Sequence, residues 1–148
     1  MNQELQVAKQ AAVEAGNLIL SYYKSDYEIK DKGYHNPVTT ADKASDKKIK
    51  DILTTTFPEY GWLSEETVDS KERLKNKRVW VVDPLDGTKE FIEGVPHFVV
   101  SIGLVEDGIP IVGLEPSELL TLRDEYLDLI DENDLDNATE ISKYSFLF

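Results

Sequence analysis

The stretch 79–92, VWVVDPLDGTKEFI, constrains the fold more than any other part of the chain. Val79, Trp80, Val81 and Val82 form a short apolar run, β-branched apart from Trp80, and read as a strand. Asp83 falls where that strand should end, Pro84 should block further pairing, and Asp86-Gly87 makes a sharp turn. Residues 88–93 (TKEFIE) then suit a helix, with Asp86 or Thr88 placed to cap its first N–H groups. Two carboxylates are thus expected at a strand end beside the positive end of a helix. Carboxylates hold a hard divalent cation, and a helix N-terminus holds a phosphate. The pattern predicts metal-assisted phosphate chemistry.

Asp-Pro and Asp-Gly alone are ordinary turn dipeptides, so the specificity lies in the whole string after an apolar strand. Haloacid-dehalogenase phosphatases place two Asp residues two apart, whereas Pro84 and Leu85 both intervene here. An EF-hand loop needs further ligands and a distal Glu at fixed spacing, which residues 89–93 do not supply. DPLDGT resembles the signature of the lithium-sensitive, magnesium-dependent phosphatases of the inositol monophosphatase superfamily. The extension Lys89-Glu90-Phe91, with GWLSEE at 61–66, is most similar to the branch that hydrolyses 3'-phosphoadenosine 5'-phosphate, the 3'(2'),5'-bisphosphate nucleotidases of sulfur metabolism. The resemblance covers residues 2–114.

That resemblance implies an α+β fold, a layered αβαβα sandwich of the sugar-phosphatase type. This chain would supply its N-terminal half, residues 1–115, followed by a divergent acidic helical tail at 116–148. It also implies Mg²⁺ held by Glu65, Asp83 and Asp86, with the backbone carbonyl of Leu85 as a further oxygen ligand. A metal-bound water near Glu65 and Thr88 would attack phosphorus, and the N–H groups of Gly87 and Thr88 would hold the phosphoryl oxygens. The implied partner is a small phosphorylated molecule, a nucleotide bisphosphate, with an inositol phosphate as the alternative.

The chain has 148 residues, enough for one domain with a real core. Its formal charge of −13 argues against a nucleic-acid polymer as partner. A negatively charged substrate would need a local cation to offset that field. No cysteine is present, which fits a reducing cytoplasm. Neither a leader sequence nor an apolar run near membrane-spanning length is found, so a cytoplasmic protein without a membrane span is expected.

Leu5, Ala8, Ala12, Ala15, Ile19 and Tyr22 recur at helical spacing and predict an amphipathic packing helix over 3–24. Residues 25–32 are polar and read as a loop, and Pro37 biases Asn36 towards extended backbone. Thr39 or Thr40 can cap a second helix over 41–57, its inner face formed by Ala44, Ile49, Ile52, Leu53 and Phe57. Asp42, in its first turn, has two readings: favourable dipole electrostatics, or the role the resemblance implies, holding water near the metals. His35 reads as a loop residue. Trp62-Leu63-Ser64 forms a short strand running into Glu65-Glu66, and a strand–loop–strand arrangement could bring Glu65 beside Asp83. The resemblance makes Glu65 the ligand and Glu66 its neighbour. Residues 98–104 and 109–114 are two strand runs joined through Asp107-Gly108, a strong hairpin signal.

From Pro116 the character changes. Leu119, Leu122, Tyr126 and Leu129 or Ile130 form an apolar stripe with an acidic opposite face, which predicts an amphipathic helix over 117–133. Relatives carry a later Trp-Asp-x-Ala-Ala-Gly motif whose Asp is another metal ligand, yet neither Trp62 nor Trp80 is followed by Asp. Three readings stay open: a truncated product, one part of a split enzyme, or a shortened homologue. A non-catalytic metal- or phosphate-binding module is the competing class, with the Leu119 stripe as a partner or homodimer face instead of core.

Overall fold

The computed structural model describes residues 3–112 apart from Tyr34. In chain order its elements are α1 (Gln3–Tyr22), β1 (Ile29–Asp31), β2 (Pro37–Thr39), α2 (Thr40–Thr56), β3 (Gly61–Ser64), β4 (Arg78–Asp86), α3 (Thr88–Glu93), β5 (Val99–Glu106) and β6 (Ile109–Val112). A short 3-10 turn, Glu72–Lys75, lies between β3 and β4. The four strands β3 to β6 form one sheet in chain order. β3 and β4 are parallel, and the other pairs are antiparallel. No helix among the described residues is long and apolar enough to cross a membrane.

Alternation along β4 sends Trp80 and Val82 to one face. There they meet Ala8, Ala11 and Ala15 of α1 and Ile49 and Leu53 of α2. Small residues on α1 let it lie close to α2, so the two helices form one layer and the sheet a second. α1 turns a slightly different side inward than expected. Ala11 is fully buried where Ala12 was predicted, and Glu4 is buried ahead of Leu5.

The inner side of α2 is more polar than its apolar spacing predicts. Asp42, Ser45 and Asp46 are buried in line with Ile49 and Leu53, while Ala44 and Ile52 are only half-buried. Polar side chains are buried only with partners, and these are supplied by β2, β3 and β4.

Three local expectations change. Residues 25–32 contain β1, which pairs with β2 as a separate two-stranded sheet. Pro84 does not end β4; pairing with β5 resumes at Asp86 after an irregularity between Asp83 and Asp86. Proline removes one donor, and the bulge absorbs it. Neither Asp86 nor Thr88 caps α3, because Gly87 is its N-cap, in the left-handed region with no side-chain cap bond.

The predicted hairpin is present, with Asp107 at φ 51 and Gly108 at φ 83. Positive φ at both central residues matches the twist of the flanking strands. The helix expected over 117–133, and the last residues of the 109–114 strand run, lie outside the described residues.

Candidate functional site

The site lies at the C-terminal ends of the parallel pair β3 and β4. Ser64 is in register with Val82, so the next residues, Glu65 just past β3 and Asp83 still within β4, stand side by side. The Glu65 N–H donates to the Val82 carbonyl at 3.2 Å, which extends the ladder to the acid itself. Glu65 and Asp83 share a carboxyl–carboxyl hydrogen bond, and Asp83 is pushed up to about 7. Burial is the main cause, followed by the charge of Glu65, that shared bond and the charge of Asp86, against the Leu85 N–H donating to Asp83. Asp86 is exposed and acts on Asp83 through charge.

Behind the turn stands Asp42, only 1% exposed. Its Oδ2 accepts from the Thr39 N–H at 2.7 Å and from the Thr39 hydroxyl at 2.5 Å, closing a capping box at the start of α2. Its Oδ1 accepts from the Thr88 hydroxyl at 2.8 Å. Thr88 Oγ1 also lies 3.0 Å from the Leu85 carbonyl, but one hydroxyl proton can serve only one acceptor at a time. Asp42 thus closes the cap of α2 and reaches the Asp83–Thr88 turn.

Gly87 must be glycine on two counts. Its φ of 94 is in the left-handed region, and a side chain there would strike the His97 carbonyl. That contact folds the turn back against residues 97–98 and sets where Thr88 begins α3.

Three further residues hold the acids in place. Ser45 Oγ donates to the Pro84 carbonyl at 3.0 Å, tying α2 to the turn. Asp46 accepts from the Ser64 hydroxyl, and from the Thr67 hydroxyl at 2.9 Å, bracketing Glu65 and Glu66. Lys32, just after β1, places its Nζ 2.7 Å from Glu66 and 3.5 Å from Glu65. Burial works against the Lys32 charge, yet the two glutamates raise its pKa overall. Glu66 is raised mainly by its own burial, with Lys32 pulling the other way. Glu66 is therefore held by a lysine, while Glu65 faces Asp83.

Among the described residues, no three Asp, Glu or His side chains are gathered within metal-coordination reach of one another. The donor chemistry nevertheless suits a hard divalent cation. Glu65 and Asp83 are hydrogen-bonded carboxyls whose mutual charge is unfavourable without a cation, and a main-chain carbonyl, that of Leu85, lies in the same turn.

The described fold and site define a class: a helix-backed mixed sheet carrying a carboxylate-built site at a strand–turn–helix junction. The profile of the inositol monophosphatase family matches residues 1–115. The chain belongs to that family, as DPLDGT indicated. It is 39% identical over 106 residues to the Nus factor SuhB of Haemophilus influenzae, covering 70% of this chain and 39% of that protein. It is 39% identical over 118 residues to inositol monophosphatase 2 of Solanum lycopersicum, covering 77% of this chain and 44% of the relative. Among solved structures, CysQ from Bacteroides thetaiotaomicron, a bacterial member of the family, matches with a TM-score of 0.59 and 40% identity. That match covers 72% of this chain and 39% of CysQ. The chain thus spans about two fifths of the length of these relatives, and its layered α+β architecture is theirs.

Proposed function

We propose that the site is that of a magnesium-dependent phosphomonoesterase, acting on the 3'-phosphate of 3'-phosphoadenosine 5'-phosphate and releasing AMP and phosphate. The observation that carries this reading is the Glu65–Asp83 carboxyl pair, forced together by parallel strand register beside the Asp42–Thr88 contact. Glu65, Asp83, Asp86 and the Leu85 carbonyl would hold the cation. When bound, it supplies Lewis acidity, making water nucleophilic and offsetting charge on the leaving oxygen.

The chain's own residues orient the reaction. Asp42 is an obligate acceptor for Thr88, so the Thr88 oxygen keeps a lone pair that can take a hydrogen bond from the attacking water. The water oxygen forms the new bond to phosphorus and gives up a proton to solvent, the ester P–O bond breaks, and the ribose oxygen leaves with a proton from solvent. The N–H groups of Gly87 and Thr88 would hold the phosphoryl oxygens. Lys32, 2.7 Å from Glu66 and 3.5 Å from Glu65, offsets part of the local negative charge beside the carboxyl pair.

Support for the nucleotide substrate is Lys89-Glu90-Phe91 with the GWLSEE segment. The tomato relative's name, inositol monophosphatase 2, favours an inositol phosphate as the second reading. Phosphate release from both compounds, with and without magnesium, tests the two. Asp83→Asn is expected to lower magnesium-dependent release by about 10³-fold, roughly 4 kcal/mol of barrier, and to weaken magnesium binding in calorimetry. Unchanged turnover in that variant would reject the site, and faster release from the inositol phosphate would reject the substrate.

A further inference from the structure

Two glutamates follow one another at the end of β3, and their surroundings are opposite. The Glu65 side chain is 48% exposed and shares a hydrogen bond with Asp83, whereas that of Glu66 is 6% exposed and lies 2.7 Å from Lys32. Lys32 does not make the choice between them, because it also lies 3.5 Å from Glu65. What separates the two acids is the orientation of the turn 64–67 that carries them. Its main-chain closure, from the Thr67 N–H to the Ser64 carbonyl, is long at 3.4 Å. Both corners are held instead by one buried carboxylate, that of Asp46 on α2.

A carboxylate only accepts, so the Ser64 and Thr67 hydroxyls both point their protons at Asp46. Each hydroxyl oxygen keeps lone pairs for a second donor. The Ser64 oxygen takes the Glu66 N–H at 3.3 Å, and the Thr67 oxygen takes the Trp62 indole N–H at 3.4 Å. One side chain of α2 thus fixes a hydroxyl at each end of the turn and, through Ser64, the amide of Glu66 itself. We infer that Asp46 is a positioning residue that selects Glu65 over Glu66 as the acid beside Asp83. With Asp46 accepting at both corners, the peptide between the two glutamates cannot roll, so Glu66 stays turned to Lys32 and Glu65 to Asp83. The rival explanation is strand register alone, since the Glu65 N–H bonds the Val82 carbonyl. That bond fixes the Glu65 amide and leaves the next peptide free to turn. The selection goes beyond the phosphatase reading and rests on it only for what the chosen carboxylate binds.

The absence of cysteine from the chain makes the test direct. Asp83→Cys is combined with Glu65→Cys or with Glu66→Cys in the full chain, and closure of the disulfide within one chain is timed by gel mobility with and without reductant. No metal or substrate is added, so the outcome is independent of the phosphatase reading. The pair at 65 and 83 is expected to close faster than the pair at 66 and 83. Adding Asp46→Asn, which keeps the shape but accepts at only one oxygen, is expected to shrink that ratio by about tenfold, in line with a buried hydrogen bond to a charged acceptor. Thr67→Val, which loosens one corner and leaves Asp46 intact, is expected to shrink it in the same direction and guards against misfolding of the Asp46 variant. A ratio unchanged in both backgrounds would overturn the proposal in favour of strand register. Equal slowing of both pairs would overturn it too, because general loosening does not exchange one glutamate for the other. Faster closure at 66 in the otherwise unmodified chain would overturn it outright.

Discussion

At its first residue β4 sets Arg78 against Glu4, Tyr60 and Glu106, and further along the same strand it sets Asp83 against Glu65. At the first end, Arg78 Nη1 lies 2.7 Å from Glu4 and 2.6 Å from the Tyr60 hydroxyl, and its Nε lies 2.7 Å from Glu106. Lys77 adds a 2.6 Å contact to Glu106. The acids there meet cations, and Glu106 is held below its ordinary range, first by Lys77 and then by Arg78. At the far end, acid meets acid and Asp83 is pushed up to about 7. Both clusters sit at the margins of one core, but burial weighs more on Asp83, where it is the main cause of the shift. The balance of charge differs as well. The neutralised end serves the fold, and the end left in electrostatic debt is where a cation and a phosphate are proposed to bind.

Trp80 separates the two ends, and Trp80→Ala is the harshest way to break the comparison. Trp80 is fully buried against Phe57 and Tyr60, and its loss is expected to cost about 3–5 kcal/mol. Chemical denaturation should show both ends failing in one transition; an intact Arg78 end would mean that they are not one cooperative unit. Asp42→Ala comes next, at about 2 kcal/mol, since it removes the capping box and the Asp42 acceptor of the Thr88 hydroxyl, which keeps only the Leu85 carbonyl. A loss equal to that of Thr39→Ala alone would show that the Thr88 contact adds nothing.

Charge removal should then act with opposite signs at the two ends. In cation-free buffer Asp83→Asn is expected to stabilise the fold by about 1 kcal/mol, after discounting the raised pKa for solvent screening. Arg78→Met is expected to destabilise it, because Glu4 and Glu106 lose their shared partner. Thermal melts that move in the same direction would defeat the distinction.

The pH dependence sharpens the same contrast. The folded chain keeps the Asp83 proton up to about pH 7, whereas the ordinary value is 3.8. Between those values the folded state binds more protons, so this group's contribution to stability falls as pH rises. Glu106 is lowered from 4.5, so it adds stability above that pH which is lost on acidification. Asp83→Asn should abolish the first slope and leave the second. The smallest effect is the control: Lys47→Ala removes an exposed helix pair with Asp51 and should change stability by less than about 0.5 kcal/mol.

The parts of this architecture that were legible in the chain are those set by short-range chemistry. Asp107-Gly108 can adopt two positive φ values, so the hairpin follows from two residues. Thr39 with Asp42 three positions later is a capping signal, and α2 begins there. The meeting of Glu65 with Asp83 required a guess about strand pairing, and the parallel register supplies it.

Ser45, Asp46 and Lys32 were missed for a common reason. Apolar periodicity assigns polar residues to solvent, yet these three are satisfied by groups distant in sequence. A signal for two of them was present: Asp42, Ser45, Asp46, Ile49 and Leu53 continue one stripe at helical spacing. Reading that stripe by position instead of by polarity would have placed Ser45 and Asp46 inward. Nothing local marks Arg78 as the partner of Glu4, because that contact closes a separation of 74 residues.

The strand order of the sheet also bears on how the molecule is made. Each strand from β3 to β6 pairs with the next one in the chain, so none of these pairings waits for chain beyond Val112. At about 5–20 residues per second, a ribosome takes roughly 1–5 s to pass from Thr88 to Val112. Mixed α and β domains of sequential topology fold in far less time, on the order of milliseconds. Vectorial synthesis can therefore set Asp42, Glu65, Asp83 and Thr88 in place one after another, with the acidic corner assembled before the remainder of the polypeptide emerges.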